Sequence, residues 1–211
     1  MTIEIIREGH SARTRGLGDL GQRDLLATVA TPDLVAEAEA FLRYVIGYLN
    51  SVNTVLRQGE TLAYGYWLTK FIETDSYLEA WEYTADATEF VPGVTLTMTY
   101  WRDQRRTCER LHATFEPPRP DRLFVISAGV LEGDRDVQGV RYPSPEHMSG
   151  WWLTTSRFNG DTASLKTTHA YHITAARPDL AHLIALPYGF RFDLSHTEDV
   201  WFDENVAVEK P

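Results

Sequence analysis

TLAYGYWL, residues 61–68, puts Leu62, Tyr64, Tyr66 and Leu68 at every second position, and a period of two marks a strand with one buried face. The same alternation returns in residues 77–83 and in VTLTMTY, residues 94–100, where Val94, Leu96, Met98 and Tyr100 interleave with Thr95, Thr97 and Thr99. Pro92-Gly93 supplies a turn between the second and third segments. Three such segments in a row predict antiparallel strands.

Toward the N-terminus, residues 2–7 and 25–30 read as short strands separated by a glycine-rich, charged loop. The longest helix comes next. Thr31 is placed to cap it, Pro32 suits its first position and Asp33 favours the positive end of its dipole. Apolar residues recur at Leu34, Ala38, Phe41, Leu42, Val45, Ile46 and Leu49, while Glu37, Glu39 and Arg43 mark a wet face.

Toward the C-terminus, residues 102–115 fit a helix or a strand equally, and Pro117, Pro118 and Pro120 stop regular structure. The apolar run 123–130 reads as a central strand, 132–145 as a loop and 150–156 as another strand. Thr168 is placed to cap a second helix, Pro178 restarts a third, and Pro187 to Gly189 ends it before a strand at 190–194. The pattern predicts an α+β fold, a mainly antiparallel sheet packed by one long N-terminal helix and two shorter C-terminal helices. It suggests two parts, 1–140 and 141–211. Val140 and Tyr142 deny the joining loop the polar monotony of a tether, so one shared sheet stays open.

With 43% hydrophobic residues in 211, the chain buries a core without staples. The single cysteine, Cys108, excludes an intramolecular disulfide and a Cys-based zinc site and suits a reducing cytosol. No basic stretch followed by an apolar run opens the chain, and no run of about 18 apolar residues occurs. The expectation is a cytoplasmic protein with no membrane partner.

The formal charge is −10, from 20 basic and 30 acidic residues. Residues 193–211 carry Asp193, Glu198, Asp199, Asp203, Glu204 and Glu209 against Lys210 alone, a balance of −5. That distribution argues against nucleic acid, whose binding rests on clustered Lys and Arg. It suits a basic protein partner through electrostatic steering. Solubility alone is the plainer explanation of the same excess.

Several motifs invite chemistry. Gly16 to Gly21 fits G-x-G-x-x-G, but Arg13-Thr14-Arg15 precedes it, a strand follows it, and Glu37 and Glu39 lie inside the expected helix, so the dinucleotide context fails. His169 and His172 are three apart and could share a metal with His182 or Asp179, yet no paired motif supports a site. His10, His147 and Ser11 are isolated. Cys108 reads as a small buried hydrophobe, although Arg105, Arg106 and Arg110 could lower its pKa. If helical, Arg102, Arg106 and Arg110 form one stripe, read as a solvated, salt-bridged face. No metal or cofactor is expected.

The aromatic residues say more. Trp151 and Trp152 are adjacent, so on one strand they point to opposite faces. In 198–204, EDVWFDE, alternation puts Val200 and Phe202 on one side and Trp201 with its flanking acids on the other. Three elements in residues 149–204 share a set order: Gly150-Trp151-Trp152, Leu186-Pro187-Tyr188-Gly189-Phe190-Arg191-Phe192, and Glu198-Asp199-Val200-Trp201-Phe202-Asp203-Glu204. Together they resemble the C-terminal domain of one group of bacterial immunity proteins, small intracellular proteins that neutralise polymorphic toxins.

The resemblance implies stoichiometric binding of a cognate toxin, without turnover or cofactor. Glu198, Asp199, Trp201, Asp203 and Glu204 are the expected contacts, with charge supplying approach rate and Trp201 buried area. The run could equally be scaffold, with specificity in the first 140 residues. Two other classes stay open. One is a small hydrolase or small-molecule enzyme using His147, His169 or His172 with a carboxylate in a pocket between the two parts. The other is an oligomeric structural protein.

Overall fold

The computed structural model describes residues 3–208. Thr2, at the start of the first expected strand, and Glu209 and Lys210 lie outside the described residues. The chain is α+β with two mixed sheets, and it divides into two compact units, Met1–Arg102 and Asp103–Pro211. The sequence suggested a boundary near 140; residue 140 lies within a strand of the second sheet, and the division falls inside a helix.

In the first unit, β1 (Glu4–Glu8) and β2 (Ser11–Arg15) form a hairpin through Gly9 and His10. β2 replaces part of the expected loop, because Ala12 and Thr14 bury alternate positions of SARTR. β3 (Leu25–Thr28) follows, and after a 3-10 turn at Pro32–Leu34 comes α1 (Val35–Val52). α1 packs across β1, β2 and β3 with Ala38, Phe41, Leu42 and Val45 in the core.

The 61–68 alternation is interrupted. Gly65, at φ +60°, turns the chain between β4 (Thr61–Tyr64) and β5 (Trp67–Glu73). Leu62 and Tyr64 are therefore buried opposite Thr69 and Trp67, and Leu68 moves to the other face. β6 (Leu78–Tyr83) and β7 (Phe90–Pro92) complete a seven-stranded sheet of order β1-β2-β3-β6-β5-β4, with β7 also paired to β6. Only the β3–β6 pair is parallel.

The largest correction is at 94–100. The segment expected as a strand begins α2 (Thr95–Arg110), which also resolves the ambiguity at 102–115. Val94, Thr97 and Met98, and again Gln104, Thr107 and Cys108, are buried at spacings of three and four, a helical stripe concealed by the alternating threonines. The helix start is specified from a distance. Glu82 on β6 accepts the backbone N–H of Leu96 at 2.8 Å and of Thr97 at 2.6 Å, and the Thr97 hydroxyl at 2.7 Å. It satisfies donors that a helix leaves orphaned at its N-terminus. Burial raises the Glu82 pKa, and those donors act against the rise.

In the second unit, β8 (Leu123–Ile126), β9 (Gln138–Arg141), β10 (Met148–Thr154), β11 (Lys166–His169), β12 (Phe190–Asp193) and β13 (Asp199–Phe202) form a sheet of order β11-β8-β10-β9-β12-β13. The β8–β10 pair is parallel, the others antiparallel. β9 lies where a loop was expected, and β8 stops at Ile126, short of Val130. Two separate sheets replace the shared one. The C-terminal helices are smaller than expected. β11 runs through Thr168, so α3 (Ala170–Ala176) starts later, and Pro178–Leu180 is a single 3-10 turn. A one-turn α4 (Glu204–Ala207) follows β13, with the Asn205 backbone amide capped by the Asp203 side chain.

Candidate functional site

The six-stranded sheet has one packed face and one open face, and alternation along its strands sorts the side chains. On the packed face Trp151 is fully buried and its indole N–H donates to the Ile184 carbonyl at 2.9 Å. Phe192 lies over Gly139 on the neighbouring strand, where a Cβ would sit 2.1 Å from the ring. Leu183, Ile184 and Leu186 of the segment after Pro178 are buried as well.

On the open face, register aligns Trp152 on β10 with Val140 on β9, Val140 with Arg191 on β12, and Arg191 with Trp201 on β13. These four side chains cross the sheet as one row. A parallel polar row follows, Thr154, Gln138, Asp193 and Asp199. Gln138 donates to Asp193 at 2.8 Å. Tyr142 meets Trp152 edge to face at 5.9 Å, and the Arg191 guanidinium lies 5.6 Å from the Trp201 ring. Tyr142, Trp152 and Trp201 stay 37%, 37% and 43% exposed. They border an open groove of about 450 Å³ whose walls include Val140, Phe158 and Arg191. Aromatic side chains with a polar rim on an uncovered sheet face are the composition that anchors protein interfaces.

The five residues expected to contact a partner fall in different places. Asp199 and Trp201 lie in the two open rows. Asp203 accepts from Arg191 at 3.0 Å and caps α4 through the Asn205 amide, also at 3.0 Å. Those bonds, the arginine's first, hold its carboxyl below the usual range. Glu204 is exposed in the first turn of α4. Glu198 is engaged within the unit, accepting from Arg110 at 3.1 Å and lying 2.9 Å from His182 Nε2. Asp193, on the polar row, was read from sequence only as part of the acidic tail; its carboxyl is lowered by bonds from Ser195. Arg191, Trp152 and Tyr142 were not expected as contacts, since only strand register aligns them.

The remaining motifs are accounted for locally. Leu17–Leu20 of the glycine-rich stretch is a 3-10 turn between left-handed Gly16 and Gly21, and β2 precedes it in place of the expected loop. The Leu17 N–H in that turn donates to Asp24, so it is not free for a phosphate. His10 Nδ1 lies 2.9 Å from the Ala30 carbonyl, and Ser11 donates to Glu8 in its turn. His169 ends β11 and His172 lies in α3, with ring centroids 6.2 Å apart and the Tyr171 ring close to both. They do not share one helix face. Among the described residues no group of three His, Cys, Asp or Glu could hold a metal ion, and His147, His169 and His172 make no hydrogen bond to a carboxylate. Of the expected stripe, Arg102 pairs with Asp33 and Arg110 with Glu198, whereas Arg106 is exposed and the neighbouring Arg105 is the one that pairs with Glu109. Cys108 is buried, and burial pushes its thiol up to about 11, opposite to the lowering that nearby arginines suggested. Among the described residues no helix is long and apolar enough to cross a membrane.

Comparison with known proteins places this site in context. Residues 103–203, just under half of the chain, match the model of a family described as the Imm33-like domain. The matched segment contains all six strands of the second sheet and both rows of the open face, and it supports an immunity-protein family. No curated protein and no solved structure matches the chain.

Proposed function

We propose that the chain is a non-catalytic immunity protein that binds a cognate secreted toxin in the cytosol and neutralises it one to one. The observation that carries this reading is the row Trp152-Val140-Arg191-Trp201, left uncovered on a sheet whose other face buries Trp151, Leu153, Phe190 and Phe192. A catalytic site needs convergent polar groups in a cleft, whereas this surface offers flat aromatic area with an acidic border. Asp199 in the polar row, Asp203 bonded to Arg191 and Glu204 next to it in the chain, with the net charge of −10, suit a basic toxin. Glu198, held by Arg110 and His182, would act as scaffold in this reading.

Co-expression with the toxin domain encoded by a neighbouring gene tests it. Protection of growth by the wild type, and its loss when Trp152 and Trp201 are both changed to Ala in a chain with an unaltered circular dichroism spectrum, is the expected result. Retained protection by that double variant would move the interface off this face. Failure of the wild type to bind any adjacent toxin would reopen the enzymatic reading.

A further inference from the structure

Arg141 is the most unusual charged residue in the second unit. It is only 4% exposed, and no carboxylate among the described residues lies within ion-pair distance of it. Its Nε donates to the Ser149 carbonyl at 3.0 Å, and one terminal nitrogen, Nη1, donates to the carbonyls of Glu116, at 2.7 Å, and Leu186. The other terminal nitrogen, Nη2, has no hydrogen-bond partner among the described residues. The hydrogen bonds of this guanidinium go only to neutral carbonyls, and the groups that offset its charge, Tyr188, Glu116 and Cys108, act without an ion pair. Burial accordingly pulls its pKa down to about 10.

The geometry defines what would compensate it. The Tyr188 ring centroid lies 4.9 Å from the guanidinium carbon and that of Trp151 5.9 Å, so aromatic surface screens the charge. Gly150 makes room for this, since a Cβ there would approach Tyr142 O to 2.2 Å and Tyr188 Cε1 to 2.8 Å. Arg141 and Tyr188 border a pocket of about 380 Å³ whose lining also includes Arg119, Arg122 and Met148, and the acids Glu116 and Glu146, so three arginines face two carboxylates there. Arg122 pairs at 3.2 Å with Glu146, whose side chain is 94% exposed, so that partner is easily displaced. Arg119 pairs with Asp121.

We infer that this pocket binds a carboxylate, with Nη2 of Arg141 donating to it from below and Arg122 closing over it. A planar carboxylate matches the in-plane edge of a guanidinium. Pro117, Pro118 and Met148 offer apolar wall for the group that bears it, which suits a peptide C-terminus better than a free ion. The pocket shares no lining residue with the groove of the open face, so the site does not depend on the toxin reading.

The test titrates the full chain by calorimetry at constant ionic strength with three probes: a tetrapeptide with a free C-terminus, the same peptide as its C-terminal amide, and inorganic phosphate. Saturable binding of the free acid, absence of binding by the amide, and weakening by about tenfold or more in Arg122→Gln are expected, the size of a lost hydrogen bond to a charged group. Arg141→Lys keeps the charge and removes the fork; where it folds by circular dichroism, it should abolish binding. Binding of phosphate alone, equal binding of acid and amide, or wild-type affinity in Arg122→Gln would each overturn the assignment, as would no binding of any probe to the wild type.

Discussion

Trp151 and Trp152 are chain neighbours on β10, yet Trp151 is fully buried with its N–H bonded to Ile184, whereas Trp152 stays 37% exposed beside Tyr142. The pleat alone separates them. One holds the unit together and the other faces outward, so their truncations should differ in kind. Trp151→Ala is expected to lose about 3–5 kcal/mol, as for large aromatic deletions in a core. Trp152→Ala is expected to lose no more than about 1 kcal/mol. Urea midpoints of the two variants measure the difference. Equal losses would mean that the open face is covered in solution.

Glu82 and the start of α2 form the second measurable relationship. Removing the carboxylate in Glu82→Ala leaves the Leu96 and Thr97 amides and the Thr97 hydroxyl without their acceptor in a buried setting. A loss of about 2–4 kcal/mol is expected, the range for stranded buried donors. Glu89→Ala, at an exposed position, is the control and should stay within about 0.5 kcal/mol. Chemical denaturation followed by far-ultraviolet circular dichroism reads both.

That pair also explains where the sequence was and was not legible. α1 could be read because its apolar stripe at helical spacing lies within the segment itself and Pro32 and Asp33 stand in the 3-10 turn just before it, although Thr31 makes no side-chain cap bond there. α2 could not, because threonines at every second position imitate a strand and the acceptor for its first amides comes from a strand 13 residues upstream of its first residue. The Gly65 turn was hidden in an unbroken alternation for a similar reason, since one left-handed residue reverses the chain without breaking the pattern. At the candidate site, the opposite orientation of Trp151 and Trp152 was legible from strand period. The row Trp152-Val140-Arg191-Trp201 was not, because it joins four strands in an order that differs from chain order. Arg141 gave no sequence signal at all, being one arginine in a segment read as a loop.

Gly139 and Phe192 test the register of β9 and β12. Only the steric clash with the ring opposes a side chain at Gly139, which is not among the positive-φ glycines. Gly139→Ala is therefore expected to lose about 1–3 kcal/mol through overpacking. Phe192→Ala opens the space that the new methyl needs, so the double variant should be more stable than the sum of the two single changes implies. A double-mutant cycle from urea midpoints measures that coupling. Simple additivity would show that the ring does not rest on the glycine.

Cys108 supplies a pH dependence with a defined sign. Its thiol, ordinarily at 9.0, is pushed up to about 11 by burial, and its sulfur lies 3.7 Å from the Ala185 carbonyl. Between those values the folded chain keeps a proton that the unfolded chain has released. The folded state then binds more protons, so stability falls as pH rises. The thiol's contribution is fully present below pH 9 and disappears by pH 11, a change of about 3 kcal/mol at about 1.4 kcal/mol for each pH unit. Cys108→Ala is expected to be less stable than the wild type at pH 8 by about 1 kcal/mol, the cost of a small cavity. It should lose less on going to pH 11, so the two stability curves converge or cross. Urea midpoints at both pH values decide it, and parallel curves would mean that the thiol titrates in the folded protein as it does in the unfolded chain.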